Sequence, residues 1–208
     1  MSDYVMPSSI EEALAAGERT GAEYLAGGTW VNRRVNSRPR PSVLVSLSKL
    51  GLDYIRSDDE GIHIGSMACF QSLVDRADLP VAIKAAAGVT ASRTLRNMMT
   101  IGGDIALASN SSCIIPSLMV LGAEIAAASG PVDVSGYVKQ EKRDLIVEVR
   151  IPDQGLRTGF LSLSRTSHSP KSLVCAVAVR VEEGIAAAVK ISLGDCVSAP
   201  FHLAGTEG

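Results

Sequence analysis

Two pairs of adjacent glycines, Gly27-Gly28 and Gly102-Gly103, constrain this chain more than any other feature of its sequence. Adjacent glycines let the backbone enter the left-handed region and approach another group with no Cβ in the way. Successive N–H groups in such a turn form a concave nest for an anion. Ala26 precedes the first pair, and Thr29 and Thr100 flank the pairs with hydroxyl groups. Asp104 is ill suited to face a phosphate, but its carboxylate can accept a hydrogen bond from a sugar hydroxyl. Taken singly, a Gly-Gly pair after a strand is more often a plain turn. Neither segment is a G-x-x-x-x-G-K-[ST] or a G-x-G-x-x-G motif. Two loops of this chemistry can nevertheless hold one diphosphate from opposite sides.

The remaining sequence predicts an α+β protein. Of its 208 residues, 46% are hydrophobic and only 4% aromatic, which suits Ala-rich helices packed on β-branched strands. A net charge of −2 gives no broad electrostatic footprint for nucleic acid or an anionic membrane. Cys69, Cys113, Cys175 and Cys196 form no C-x-x-C pair, and with His63, His168 and His202 they match no zinc spacing. They read as separate thiols of a reducing compartment, with neither a metal site nor an iron–sulfur cluster in the chain. The N-terminus lacks the basic and apolar regions of a secretory signal. The most apolar stretch, residues 114–128, falls short of the roughly 20 residues a membrane helix needs. A cytoplasmic protein is expected, with no membrane or nucleic acid among its partners.

Local signals predict the elements. Ser8 and Glu11 read as a capping box for a helix ending near Gly17. Strands are expected at 23–26 and 43–47, and a hairpin over 54–65. Helices are expected at 69–76, 81–88 and 114–121, the last with Pro116 in its first turn. Residues 92–98 are ambiguous, and 100–104 read as a loop. After Ala123 the texture is strand-like, at 124–127, 145–151, 159–163, 172–181 and 185–193. Pro152-Asp153-Gln154-Gly155 is the best boundary signal, which gives a main domain at 1–153 and a smaller piece at 154–208. The last strand lacks a closing helix, so that piece reads as either incomplete or docked on something else.

The residues around the glycines carry more information than the glycines. Tyr24-Leu25-Ala26-Gly27-Gly28-Thr29 and Arg96-Asn97-Met98-Met99-Thr100-Ile101-Gly102-Gly103-Asp104-Ile105-Ala106-Leu107-Ala108-Ser109 resemble the flavoprotein subunits of the xanthine dehydrogenase and carbon monoxide dehydrogenase family. Ile62-His63-Ile64-Gly65-Ser66-Met67, Pro116-Ser117-Leu118-Met119-Val120-Leu121-Gly122-Ala123 and Val147-Glu148-Val149-Arg150-Ile151-Pro152 fit the same pattern in the same order. The resemblance implies a vanillyl-alcohol-oxidase-type FAD-binding domain of two α+β subdomains. From about residue 156 it implies the start of a small α+β C-terminal domain, which in relatives usually runs several dozen residues further.

It also implies that Ala26, Gly27, Gly28, Thr29 and Trp30, with Thr100, Ile101, Gly102, Gly103 and Asp104, contact the FAD diphosphate and adjoining sugar or ribityl groups. Backbone near Val147 would lie beside the flavin ring. The chemistry is then the cofactor's, so no catalytic side chain is assigned. In such complexes a large partner holds the molybdenum cofactor and a small partner the iron–sulfur clusters. Electrons reach FAD from those clusters and leave to an acceptor such as NAD. Three departures stand out. Cys113 replaces an Asp common in relatives, and Leu161 and Ser162 stand where many carry a Lys or Arg. The first loop has no His, so the expected FAD is non-covalent.

Other features have more than one reading. Arg33, Arg34, Arg38 and Arg40 form either a solvated basic loop or a contact for a phosphate or an acidic partner. Trp30, the only tryptophan, is either a cover on a bound group or a core or interface anchor. His63 lies on a predicted strand whose alternation points it outward. Arg96 and Asn97 are expected to position the second loop. Two further functions fit the residues: a flavin-free assembly or regulatory module of the same fold, and a self-sufficient flavin oxidase.

Overall fold

The computed structural model describes residues 2–33, 40–141, 144–166, 171–195 and 201–204, without the side chains of 32, 33, 195 and 201–204. Arg34, Arg38, His168 and Cys196, and the side chains of Arg33 and His202, lie outside what is described. Three strands open the chain: β1 (Asp3–Val5), β2 (Ala22–Leu25) and β3 (Val43–Ser46). They form a parallel sheet in the order β1-β3-β2. Helix α1 (Ile10–Gly17) connects β1 to β2, and α2 (Thr29–Arg33) starts directly after the first glycine pair. Ala13 and Ala16 of α1 are buried with Val43, Val45 and Leu47, and the small alanines let the helix lie close to the sheet. The α1 cap sits one residue later than predicted. Ser9 accepts from the Glu12 N–H, and the Glu12 carboxylate accepts from the Ser8 N–H at 2.8 Å.

The second sheet has five antiparallel strands. They are β4 (Ile55–Asp58), β5 (Gly61–Gly65), β6 (Glu124–Ala127), β7 (Gly130–Asp133) and β8 (Ile146–Pro152), in the order β4-β5-β8-β6-β7. Helices α3 (Phe70–Asp75), α4 (Val81–Thr90), α5 (Arg93–Arg96), α6 (Ile101–Leu107) and α7 (Ile114–Val120) follow β5, and α8 (Val134–Lys139) follows β7. Ile64, Ile125, Val149 and Ile151 from the sheet share one core with Phe70, Leu73, Ile83, Ile101, Ile105, Ile114 and Leu118 from the helices. Residues 100–104, predicted as a loop, are instead the cap and first turn of α6. The Thr100 hydroxyl accepts from the Gly103 N–H at 3.1 Å, which overrides the low helix propensity of two glycines. The ambiguous 92–98 segment is the short α5, capped by Ser92.

The chain continues into β9 (Arg157–Leu163), β10 (Leu173–Glu182), β11 (Ile185–Asp195) and β12 (Phe201–Ala204), an antiparallel sheet in the order β12-β11-β10-β9. Val174, Ala176 and Ala178 on one face of β10 join the core of the five-stranded sheet, and α7 packs on β10 and β11. On the opposite face of β9, Leu161 and Leu163 are exposed.

The outer face of the five-stranded sheet carries an ionic network that sequence alternation did not reveal. His63 lies on that face, as its alternation predicts, yet it is buried by its neighbours. Its Nδ1 is 3.2 Å from Glu148 Oε1 and its Nε2 is 3.1 Å from Asp58 Oδ1. Glu148 also accepts from Tyr54 Oη at 2.7 Å, Arg150 Nε at 2.8 Å and Arg56 Nη2 at 3.3 Å. Burial works to raise the Glu148 carboxyl. The bonds from Arg150, Tyr54 and His63 outweigh it and hold the group at about 2. Burial and the bond to Glu148 push the Tyr54 hydroxyl up to about 12.

Replacing this carboxylate tests the network. Glu148→Gln keeps the shape and removes the charge, so we expect a loss of roughly 2 kcal/mol at neutral pH. A carboxyl depressed in the folded state stabilises above its unfolded value and loses that contribution as pH falls through the folded one. The gap between wild type and variant should therefore be full above roughly pH 5 and shrink towards pH 2. Urea unfolding at pH 3 and pH 7 checks this, and a gap independent of pH contradicts it.

Candidate functional site

The two glycine segments, far apart in sequence, meet at one cavity. Leu25 ends β2 beside Ser46 of β3, so the first pair leaves the edge of the parallel sheet. Gly28 takes φ +72°, a left-handed conformation that favours glycine. A Cβ on Gly27 would overlap the Met98 carbonyl oxygen, so the two segments touch backbone to backbone. A Cβ on Gly102 would lie 2.6 Å from the Ser66 Cβ, and one on Gly103 would lie 2.9 Å from the Thr100 hydroxyl. Gly103 also faces Ala26.

The cavity, of about 220 Å³, is lined by Ala26, Gly27, Gly28, Thr29, Trp30 and Val31 on one side. Met99, Thr100, Gly103, Asp104, Ala106 and Leu107 line the other. Eight of the eleven predicted site residues are therefore brought together (Ala26, Gly27, Gly28, Thr29, Trp30, Thr100, Gly103 and Asp104). Ile101 and Gly102 are buried behind the wall. Val147 does not line the cavity. It is the extra residue of a β-bulge, because Ala126 pairs with Glu148 while Ala127 pairs with Ile146. Its carbonyl accepts from the Ser66 N–H at 2.9 Å, and the Ser66 carbonyl accepts from Gly102 N at 2.9 Å. Bulges of this kind re-aim backbone beside sites. Val31, Met99, Ala106 and Leu107 line the cavity without having been predicted. They flank the glycines, but no polar atom marked them.

The two segments offer different chemistry. In the second, the Ile101 N–H goes to the Ala68 carbonyl, Gly102 to Ser66, Gly103 to the Thr100 hydroxyl and Asp104 to the Thr100 carbonyl. These amides are committed to the fold. In the first, the N–H groups of Gly27, Gly28 and Thr29 have no partner among the described residues. An anion nest is thus available from the first segment, while the second contributes side chains. Arg96 secures the approach to the second segment. Its Nη1 donates to the Gly88 and Ala91 carbonyls, and its Nε donates to Gln71 Oε1 at 3.0 Å.

Asp104 is the sole ionisable residue among the described residues lining the cavity. Burial pushes its carboxyl up to about 6, against a 2.5 Å hydrogen bond from the Ser112 hydroxyl that favours the charged form. Cys113, next along the chain, is buried at the start of α7 and is not part of the lining. Among the described residues no group of His, Cys, Asp and Glu is arranged to hold a metal ion. No helix among them is long and apolar enough to cross a membrane.

Residues 1–154 match the family model described as the FAD binding domain in molybdopterin dehydrogenase. The chain belongs to this family. That membership makes it part of an oxidoreductase and FAD the cofactor its fold is built to hold. The Escherichia coli K12 protein YgfM is 30% identical over 210 residues, covering 100% of this chain and 79% of YgfM. The FAD subunit of nicotinate dehydrogenase from Eubacterium barkeri is 25% identical over 230 residues, covering 99% and 78%. In solved structures, a chain of reconstituted CO dehydrogenase from Oligotropha carboxidovorans superposes with a TM-score of 0.86 at 25% identity, covering 97% and 77%. The vanillyl-alcohol-oxidase-type α+β reading of the sequence agrees with these matches.

FAD fits the geometry. Gly27 and Gly28 present bare backbone to the cavity, and the N–H groups of this segment, unpaired among the described residues, suit an anion. At about 220 Å³ the cavity suits the diphosphate and its neighbours, not a whole dinucleotide.

The close approach at Gly27 gives a direct prediction. Gly27→Ala forces a methyl group into the Met98 carbonyl and should cost upwards of about 2 kcal/mol. Gly51, by contrast, has positive φ (+65°), and a Cβ there meets nothing within 4 Å. Gly51→Ala should cost only the backbone strain, about 1 kcal/mol. Equal losses on thermal unfolding would show that the Gly27 contact is not the constraint.

Proposed function

We propose that this chain is the FAD-binding electron-transfer subunit of a molybdenum-hydroxylase complex. It would work with one partner subunit holding the molybdenum cofactor and another holding iron–sulfur clusters. When bound, FAD supplies the redox chemistry, taking electrons that arrive from the clusters and passing them to an acceptor such as NAD. The observation that carries this reading is the convergence of both glycine segments on one cavity, in a chain of this family.

The chain's own residues bind and orient. The N–H groups of Gly27, Gly28 and Thr29 would hold the diphosphate. Trp30 and Val31 would cover it on one side, and Thr100, Gly103 and Asp104 would close the other. Ile101 and Gly102 would act from behind, by seating the first turn of α6 on Ser66. The bulged backbone at Val147 would border the flavin ring, held in place through Ser66. Residues 1–153 would form the flavin-binding unit, and the sheet beginning with β9 a second unit packed upon it.

The test is to purify the protein with whatever chains accompany it, and to record its visible spectrum and metal content. We expect about one FAD per chain, released intact on denaturation. We also expect co-purifying subunits that contain molybdenum and iron. Partners without flavin would favour an assembly module instead. Flavin reduced by a substrate in the isolated chain would favour a self-sufficient oxidase.

A further inference from the structure

We infer that Asp104 takes up a proton when the diphosphate-bearing cofactor enters the cavity, and so meets the anion as a neutral hydrogen-bond donor. The inference rests on the FAD reading above and concerns the acidic group that the described lining residues place in that site.

The lining holds a carboxyl group and, among the described residues, neither Lys nor Arg. A diphosphate seated on the amides of Gly27, Gly28 and Thr29 therefore shares a small, largely apolar space with Asp104 and meets no countercharge from the described lining residues. Two anions in such a space repel, and the cheaper solution is for the weaker acid to hold a proton. Oδ2 accepts from the Ser112 hydroxyl, which leaves Oδ1 as the oxygen available to carry the proton. The carboxyl is already raised towards neutrality by burial before any anion arrives.

Among the described residues, no other charged group competes for this role from the elements packed around Asp104. Helix α6 carries no second titratable residue. Helix α7 contributes apolar residues and Ser117, and the Cys113 thiol beside it lies 4.0 Å from the Ser111 carbonyl. Strand β8 keeps Glu148 and Arg150 on the opposite face, bound to each other and to His63 and Glu124. Thr29 and Trp30 of α2 are uncharged in this range, and the Arg33 side chain lies outside the described residues. The proton comes from solvent. It cannot come from FAD, whose diphosphate bridge is a diester with no proton to exchange near neutral pH.

Because the protonated form binds better, affinity must fall as pH rises above the value of the free carboxyl. Titrating the protein with FAD between pH 6 and pH 8 should weaken the Kd by roughly tenfold or more. Calorimetry at pH 7 in buffers of different ionisation enthalpy should give an uptake approaching one proton per FAD. Asp104→Asn, which is neutral at every pH, should bind with a flat profile and no uptake. Ser112→Ala removes the bond that favours the charged form, and should move the wild-type profile to higher pH. The calorimetry needs no variant, so it decides the question even if a variant misfolds. FAD binding with a flat profile and no uptake in the wild type would overturn this inference while leaving the flavin reading intact. A pH dependence that persists in Asp104→Asn would also overturn it. Failure to bind FAD at any pH would overturn both.

Discussion

The backbone of Gly27 lies against the carbonyl of Met98, where no side chain fits, and the site depends on that contact. One segment hangs from the parallel sheet, while the other belongs to the helices that cover the antiparallel sheet. A single methyl group at Gly27 would part them and open the cavity between. The contact holds because each side is fixed independently. Leu25 is bound by the Leu47 N–H, and the Met99 carbonyl by the Phe70 N–H at 2.9 Å. The Arg96 side chain ties the approach to the end of α4. Glycine therefore serves two purposes here: left-handed backbone at Gly28 and close approach at Gly27.

The two glycine pairs look alike in sequence and do different work. The first leaves its N–H groups without partners among the described residues, at the wall of the cavity. The second gives its amides to Ser66 and Thr100, and so fastens a helix start to the end of β5. Its part in the site is to place Thr100 and Asp104 at the wall. The proposed grip is thus asymmetric among the described residues, with backbone donors on one side and one titratable side chain on the other. With neither lysine nor arginine among the described lining residues, the site we propose would bind an anion through amides, whose dipoles are fixed and carry no net charge.

Much of the fold was legible because its strands are β-branched runs between clear turn signals. The hairpin of β4 and β5, the bracket of β10 and β11, and α7 with Pro116 in its first turn all lie within a residue or two of their predicted places. The short β1 and the Pro131-containing β7 escaped notice, since three or four residues at a sheet edge leave little pattern. Helix α6 was hidden by its own glycines, whose cost is offset by the Thr100 cap and by packing on Ser66, neither of which is local information. Burial of His63 was hidden for a similar reason. Alternation told which face it lies on, but not that Glu148, Arg150 and Tyr54 would enclose it there. The site residues were legible by type, whereas their meeting was not, because only the fold brings Gly27 to Met98.

The central claim is that the glycine cradle grips a diphosphate. The most direct measurement compares equilibrium binding of FAD, FMN and riboflavin to the same protein freed of cofactor. If the amides of Gly27, Gly28 and Thr29 supply the grip, FAD binds far more tightly than FMN, and riboflavin binds least. Equal affinity for riboflavin and FAD would place the binding energy at the flavin ring and contradict the account.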